Sequence, residues 1–233
     1  MAKGPRLLLV HGSVANGEAT WAAQRPLAER FELVVPNRRG FPPGPDVERV
    51  DFEDEAVWLE RYLEPGTHLV GQSYGGVIAL LAAARRPELV ASVTAIEPPA
   101  FGVARGHPAV EAFVAAAEAI SGDPEAYLRG FLDLVGSPQP EHPLSAALLQ
   151  GARTLIVERP PWEAEIPLDA LASIPTLVVS GGHGAAFDAV CDVLEDRIGA
   201  ERAVLPGAGH GPQRLGAPFN ALLADFVMKQ NGS

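Results

Sequence analysis

The stretch Thr67-His68-Leu69-Val70-Gly71-Gln72-Ser73-Tyr74-Gly75-Gly76, followed by an apolar run from Val77 to Ala84, leaves this chain few ways to fold. Residues that favour an extended strand run straight into Gly-x-Ser-x-Gly, and an Ala/Leu-rich helical pattern starts at once. A strand passes into a helix over so few residues only through a strained turn. Gly71 and Gly75 lack the Cβ atoms that would collide as the two elements close on each other. Ser73, at the apex, is forced into an uncommon backbone conformation that lifts its hydroxyl clear. The turn is therefore expected to be a nucleophile elbow with Ser73 as the nucleophile. The amide of Tyr74, at the start of the helix, points to the same space, where the positive end of the helix dipole favours a developing oxyanion. The alternative is that the two glycines merely serve a tight turn, and the rest of the chain distinguishes the two.

Taken in order, the chain begins with an apolar strand, Arg6 to Val10, as expected for a parallel strand covered on both faces, and this strand ends in His11-Gly12-Ser13-Val14. The pattern predicts a helix over Glu18 to Arg30, a strand over Phe31 to Pro36, and a turn-rich crossing from Asn37 to Pro45. An acidic helix follows over Asp51 to Leu63, and a strand over Leu89 to Ile96 ends at Glu97-Pro98-Pro99. Alternating strands and helices predict an α/β fold with a mostly parallel, doubly wound sheet. Catalytic groups then belong beyond the carboxyl ends of the strands, where His11, Ser73 and Glu97 all fall.

From Phe101 to about Asp169 the alternation stops. Val110 to Ile120, Pro124 to Val135 and Leu144 to Arg153 read as helices, and the short Thr154 to Val157 is the one strand-like pattern. The alternation resumes with a strand over Ile174 to Ser180, a helix over Phe187 to Arg197 and a strand over Arg202 to Leu205. Pro206-Gly207-Ala208-Gly209-His210-Gly211 and a closing helix over Leu215 to Lys229 follow.

With its elbow, its apolar strand running into His-Gly and its Gly-x-Gly-His loop, the chain resembles the α/β-hydrolase superfamily over essentially its whole length. That resemblance implies a core over residues 1–100 and 170–233 and a helical cap insertion over 101–169 that covers the active site. It implies the amide of Ser13, beside that of Tyr74, as the second oxyanion donor, and His210 as the base that reaches the serine hydroxyl from a flexible loop. Phe113, Tyr127, Phe131, Leu132 and Trp162 of the cap give it either its own core or an apolar substrate pocket.

One place departs from the family pattern. Relatives usually carry Gly-x-x-Asp after the strand that precedes the last helix–strand pair, and here the residues are Gly181-Gly182-His183-Gly184. An imidazole base needs a carboxylate to hold its tautomer and stabilise the imidazolium. Two candidates stand in view. Glu97 follows a strand that neighbours the elbow strand, an arrangement similar to that of haloalkane dehalogenases, and Asp188 lies four residues beyond the vacant position. Glu97 is favoured because it sits at a strand end.

Charge and composition exclude other classes. A formal net charge of -11 argues against a nucleic-acid or anionic-membrane partner. The basic pairs Arg38-Arg39 and Arg85-Arg86 are expected on the solvated surface. One cysteine, Cys191, excludes an internal disulfide and is expected in the core. Met1 to Arg6 carries no long apolar leader, no apolar run is long enough to span a bilayer, and the expected location is the cytoplasm. No Cys/His/carboxylate group has metal-ligand spacing, and the Gly-rich segments match no phosphate loop or dinucleotide fingerprint, so neither a metal nor a cofactor is expected. His11 is expected to brace its loop, His68 to pack or lie at an edge, and His107 and His142 to be loop residues. The expected activity is a serine hydrolase cleaving carboxylic esters, thioesters or lactones of a small molecule with an apolar portion. The same scaffold also hosts C–C bond hydrolases and cofactor-independent lyases, and a binding protein with a degenerate triad is a further alternative.

Overall fold

The computed structural model describes residues 4–231; Met1 to Lys3 and the last two residues lie outside the described part. Strand β1 (Arg6–Val10) leads into a single-turn helix α1 (Gly17–Thr20) and then a 3-10 stretch, Ala22–Glu29. This corrects the single helix expected over Glu18 to Arg30. Pro26 lies inside the stretch, where it has no N–H to give and its ring crowds the carbonyl four residues back, so the tighter helix takes over. Strand β2 (Glu32–Val34) is shorter than the sequence pattern suggested. Helix α2 (Phe52–Leu59) is capped by Asp51, whose carboxylate accepts the Glu53 amide, and three acidic residues in the first turn suit the helix dipole. Strand β3 (Thr67–Gln72), helix α3 (Tyr74–Arg85) and strand β4 (Val90–Ile96) form the centre of the molecule.

Helices α4 (Pro108–Glu118), α5 (Pro124–Leu134) and α6 (Ala146–Val157) make up the cap, each started by a side-chain cap from His107, Asp123 or Ser145. Thr154 to Val157 is not a strand but the last turn of α6. The Thr154 hydroxyl is satisfied by the Gly40 carbonyl at 2.6 Å, a tertiary contact that outweighs the strand preference of its β-branched side chain. What remains of the strand signal is one isolated parallel bridge between Val50 and Glu158. A single turn α7 (Leu168–Leu171), strand β5 (Thr176–Ser180), helix α8 (Ala185–Ile198), strand β6 (Glu201–Val204) and helix α9 (Ala217–Asn231) complete the fold.

Among the described residues six strands form one parallel sheet, in the order β2-β1-β3-β4-β5-β6. Successive side chains of a strand point to opposite faces. Leu7 and Leu9 pack with Leu27, Phe219 and Phe226 on one face, while Leu8, Val10 and Leu69 pack under α2 and α3 on the other. The chain runs outward from β1 to β2 and then back through β3 in the opposite direction, so the loops after β1 and β3 flank the switch point where such sheets place their ligands. A Cβ on Gly71 would lie 2.2 Å from the Gly75 carbonyl oxygen, and one on Gly75 would lie 2.4 Å from that of Val10. Both glycines are therefore required for α3 to sit tight against β3 and β1. No helix among the described residues is long and apolar enough to cross a membrane.

Candidate active site

Ser73 occupies the sharp turn between β3 and α3 with φ 52° and ψ −125°, a region costly for any residue with a side chain. Its amide donates to the Ile96 carbonyl of the neighbouring strand at 2.8 Å, which helps hold the turn. The side chain projects to His210, whose Nε2 lies 2.9 Å from Ser73 Oγ. His210 comes from the Gly-rich loop after β6, and Gln72, one residue before Ser73, fixes that loop by donating from Nε2 to the His210 carbonyl at 3.1 Å.

Glu97 follows β4 and is fully buried, with φ 47°. One carboxylate oxygen accepts the Gly181 amide at 2.6 Å, and the other stands 3.3 Å from His210 Nδ1. A carboxylate accepts only, so the Glu97 side fixes the hydrogen on Nδ1 and leaves Nε2 able to take the serine proton. Asp188 lies in the first turn of α8 and is engaged elsewhere, accepting from Ser180 Oγ at 2.8 Å and from Arg202 at 3.0 Å. Of the two candidate acids, the fold brings Glu97 and not Asp188 to the imidazole.

The amide of Tyr74 is the first of α3, where no intrahelical acceptor exists for it. Ser13, just after β1, lines the same pocket as Ser73, Tyr74 and His210. Neither hydroxyl is loose: Tyr74 donates to the Arg159 carbonyl at 3.1 Å, and Ser13 donates to Glu158. Phe113, Tyr127, Phe131 and Trp162 of the cap line the pocket together with Phe187 of α8. Phe113 also packs 4.9 Å from the ring of Phe101, whereas Leu132 belongs to the small core of the cap with Leu128, Ala152 and Leu155.

Arg38 corrects an expectation. Arg39, Arg85 and Arg86 are at least partly solvated, but the Arg38 side chain has no exposed surface. It bonds Glu55 at 2.6 Å and Glu158 at 2.7 Å, donates to the Gly12 carbonyl, and lies 4.5 Å over the Tyr74 ring. Burial works against its charge, but the two carboxylates outweigh burial and hold the guanidinium protonated. Burial also raises Glu158 above the usual carboxylate range, against the pull of Arg38 and Ser13. Glu158 was not singled out by the sequence, because its partner lies 120 positions away. His11 braces the loop as expected: its Nε2 accepts the Arg38 amide at 2.9 Å, and burial with the nearby Arg38 charge lowers it to about 3. His68 is buried between Ser92 and Asn231, His107 caps α4, and His142 is exposed beside Glu125. Cys191 is buried and its thiol is pushed up to about 12, which leaves it inert. His183, one residue before Gly184 where the family's acid would stand, lies beside Glu97, so Glu97, His183 and His210 bring one donor atom each within 4.8 Å of one another. They come from three separate loops, and no chain spacing could announce them.

A family model described as the alpha/beta hydrolase fold matches residues 5–167. The chain is 29% identical to the 2-(acetamidomethylene)succinate hydrolase of Mesorhizobium japonicum, over 89% of this chain and 82% of that protein. It is 31% identical to the pimeloyl-[acyl-carrier protein] methyl ester esterase of Methylococcus capsulatus, over 69% of this chain and 63% of that protein. Among solved structures, NosK from Streptomyces actuosus superposes with a TM-score of 0.69 at 26% identity, covering 98% of this chain and all of that one.

Proposed function

We propose that this chain, which belongs to the alpha/beta hydrolase fold family, is a serine hydrolase that cleaves carboxylic esters, thioesters or lactones of small molecules with an apolar portion. The observation that carries this reading is the continuous line from Glu97 through His210 to Ser73, at 3.3 Å and 2.9 Å, opening onto an apolar pocket under the cap. Ser73 attacks the acyl carbon while His210 takes its proton, and the amides of Ser13 and Tyr74 hold the oxyanion. His210 then passes the proton to the leaving group, and water enters by the reverse path to free the acid. Glu97 orients the imidazole and offsets the charge it gains. The names of the two curated relatives, a hydrolase and a methyl ester esterase, support the same chemistry. The core and cap division at 101–169 is part of this reading, as is a cytoplasmic location, which the one free, buried cysteine supports. The test is hydrolysis of a short p-nitrophenyl ester by the wild-type chain and by Ser73→Ala: turnover within tenfold of each other would sink the proposal.

A further inference from the structure

Two histidines converge on one carboxylate. Nδ1 of His210 lies 3.3 Å from one oxygen of Glu97, and Nδ1 of His183 lies 3.7 Å from the other. The His183 ring stacks on Phe187, with centroids 5.8 Å apart and an interplanar angle of 25°. Its Nε2 lies 3.1 Å from the Val135 carbonyl at the end of the cap helix α5. A carbonyl only accepts, so this nitrogen carries a ring hydrogen, and in that tautomer of the neutral ring the Nδ1 lone pair faces the Glu97 carboxylate. Two acceptors facing each other repel unless a proton or a metal ion stands between them.

We propose that Glu97, His183 and His210 form an inhibitory site for Zn²⁺ or a similar transition-metal ion, laid over the catalytic line. Two imidazoles and a carboxylate are a donor set that suits zinc. With zinc–ligand bonds of about 2.0–2.2 Å, tetrahedral neighbours stand roughly 3.3–3.6 Å apart. The two nitrogen–carboxylate spacings, 3.3 Å and 3.7 Å, are close to this, and drawing three donors now within 4.8 Å of one another onto one ion takes a small closing movement of the His183 loop. The outer contacts are also in place: His183 gives its second nitrogen to a backbone carbonyl, and Glu97 accepts the Gly181 amide. The His183 side chain is 22% exposed, which provides an entry path. Binding changes the tautomer of His210. The hydrogen leaves Nδ1, where the metal binds, and one is taken up on Nε2, so the neutral ring keeps its proton count. Nε2–H then donates to Ser73 Oγ and can no longer receive the serine proton. The metal thus stops the base without touching the nucleophile.

The test is a calorimetric titration of Zn²⁺ into chelator-stripped Ser73→Ala protein, with the same background carrying His183→Gln or His142→Gln. Because Ser73→Ala has no nucleophile, the result does not depend on the hydrolase reading. One Zn²⁺ should bind per chain, with affinity reduced at least about tenfold by His183→Gln and unchanged by His142→Gln, which alters the exposed histidine beside Glu125. Co²⁺ bound to the Ser73→Ala protein should show the intense visible absorption of a tetrahedral site, an observation that needs no histidine variant. Failure of Zn²⁺ to bind, equal binding with and without His183, or loss of binding in His142→Gln instead would overturn the site.

Discussion

The carboxylate of Glu97 faces Nδ1 of His210 at 3.3 Å although 113 positions separate them in the chain. Glu97 is held there by a strained backbone, φ 47°, and by the Gly181 amide on its other oxygen. Removing only the charge, by Glu97→Gln, should leave the packing in place and let the imidazole take the wrong tautomer. Turnover near neutral pH is expected to fall by about two to four orders of magnitude. Asp188→Asn should stay near wild type, since Asp188 bonds Ser180 and Arg202 rather than the base. Steady-state kinetics of the two variants side by side check this, and the reverse pattern would move the acid role to Asp188.

The pocket that Phe113, Tyr127, Phe131, Trp162 and Phe187 line beside Ser73 sets the expected acyl preference. Each methylene it covers should contribute up to about 1 kcal/mol to kcat/KM until the space is filled. Comparison of p-nitrophenyl acetate, butyrate and hexanoate should therefore show a rising series. A preference for acetate over hexanoate would count against the pocket.

Arg38 with Glu55 and Glu158 is a buried ion cluster beneath the Ser13 side of the site. Replacing Arg38 by Met keeps much of the volume but strands two carboxyl groups without their cation. Breaking such a cluster from one side is expected to cost about 3–5 kcal/mol. Chemical denaturation of Arg38→Met measures it, and a loss below about 1 kcal/mol would mean that the cluster contributes little to the fold.

His11 gives a pH dependence with a definite sign. Its folded pKa of about 3 lies below the ordinary 6.5, because burial and Arg38 disfavour its charge and Nε2 is occupied by the Arg38 amide. Between those values the unfolded chain binds the proton and the folded chain does not, so stability falls as pH drops from 6.5 toward 3 and is fully present above it. Urea unfolding of wild type and His11→Gln at pH 7 and pH 5 should show the wild-type advantage shrinking at the lower pH. An advantage that grows on acidification would contradict the assignment.

Much of this arrangement was legible in the chain because it rests on local chemistry. The elbow is announced by two glycines that leave room for neighbouring backbone, and the strands by unbroken apolar runs. Glu97 stood out because it ends such a run. What escaped was set by partners distant in sequence. Arg38 reads as surface beside Arg39 until Glu55 and Glu158 are known to surround it. Thr154 to Val157 reads as a strand until the Gly40 carbonyl claims Thr154. Pro26 is visible in the chain, yet Glu18 to Arg30 reads as one helix until Pro26 is seen inside a 3-10 stretch. Gly184 marks the loss of the family's acid, whereas its neighbour His183 is, in the fold, a second imidazole beside Glu97.

The most direct test of the central claim, that Ser73 is a nucleophile activated by His210, is labelling with a fluorophosphonate probe followed by peptide mass mapping. The protein should be labelled at Ser73 alone, with no label in Ser73→Ala and a rate reduced by orders of magnitude in His210→Ala. A well-folded wild-type chain that never labels, or that labels equally fast without His210, would contradict it.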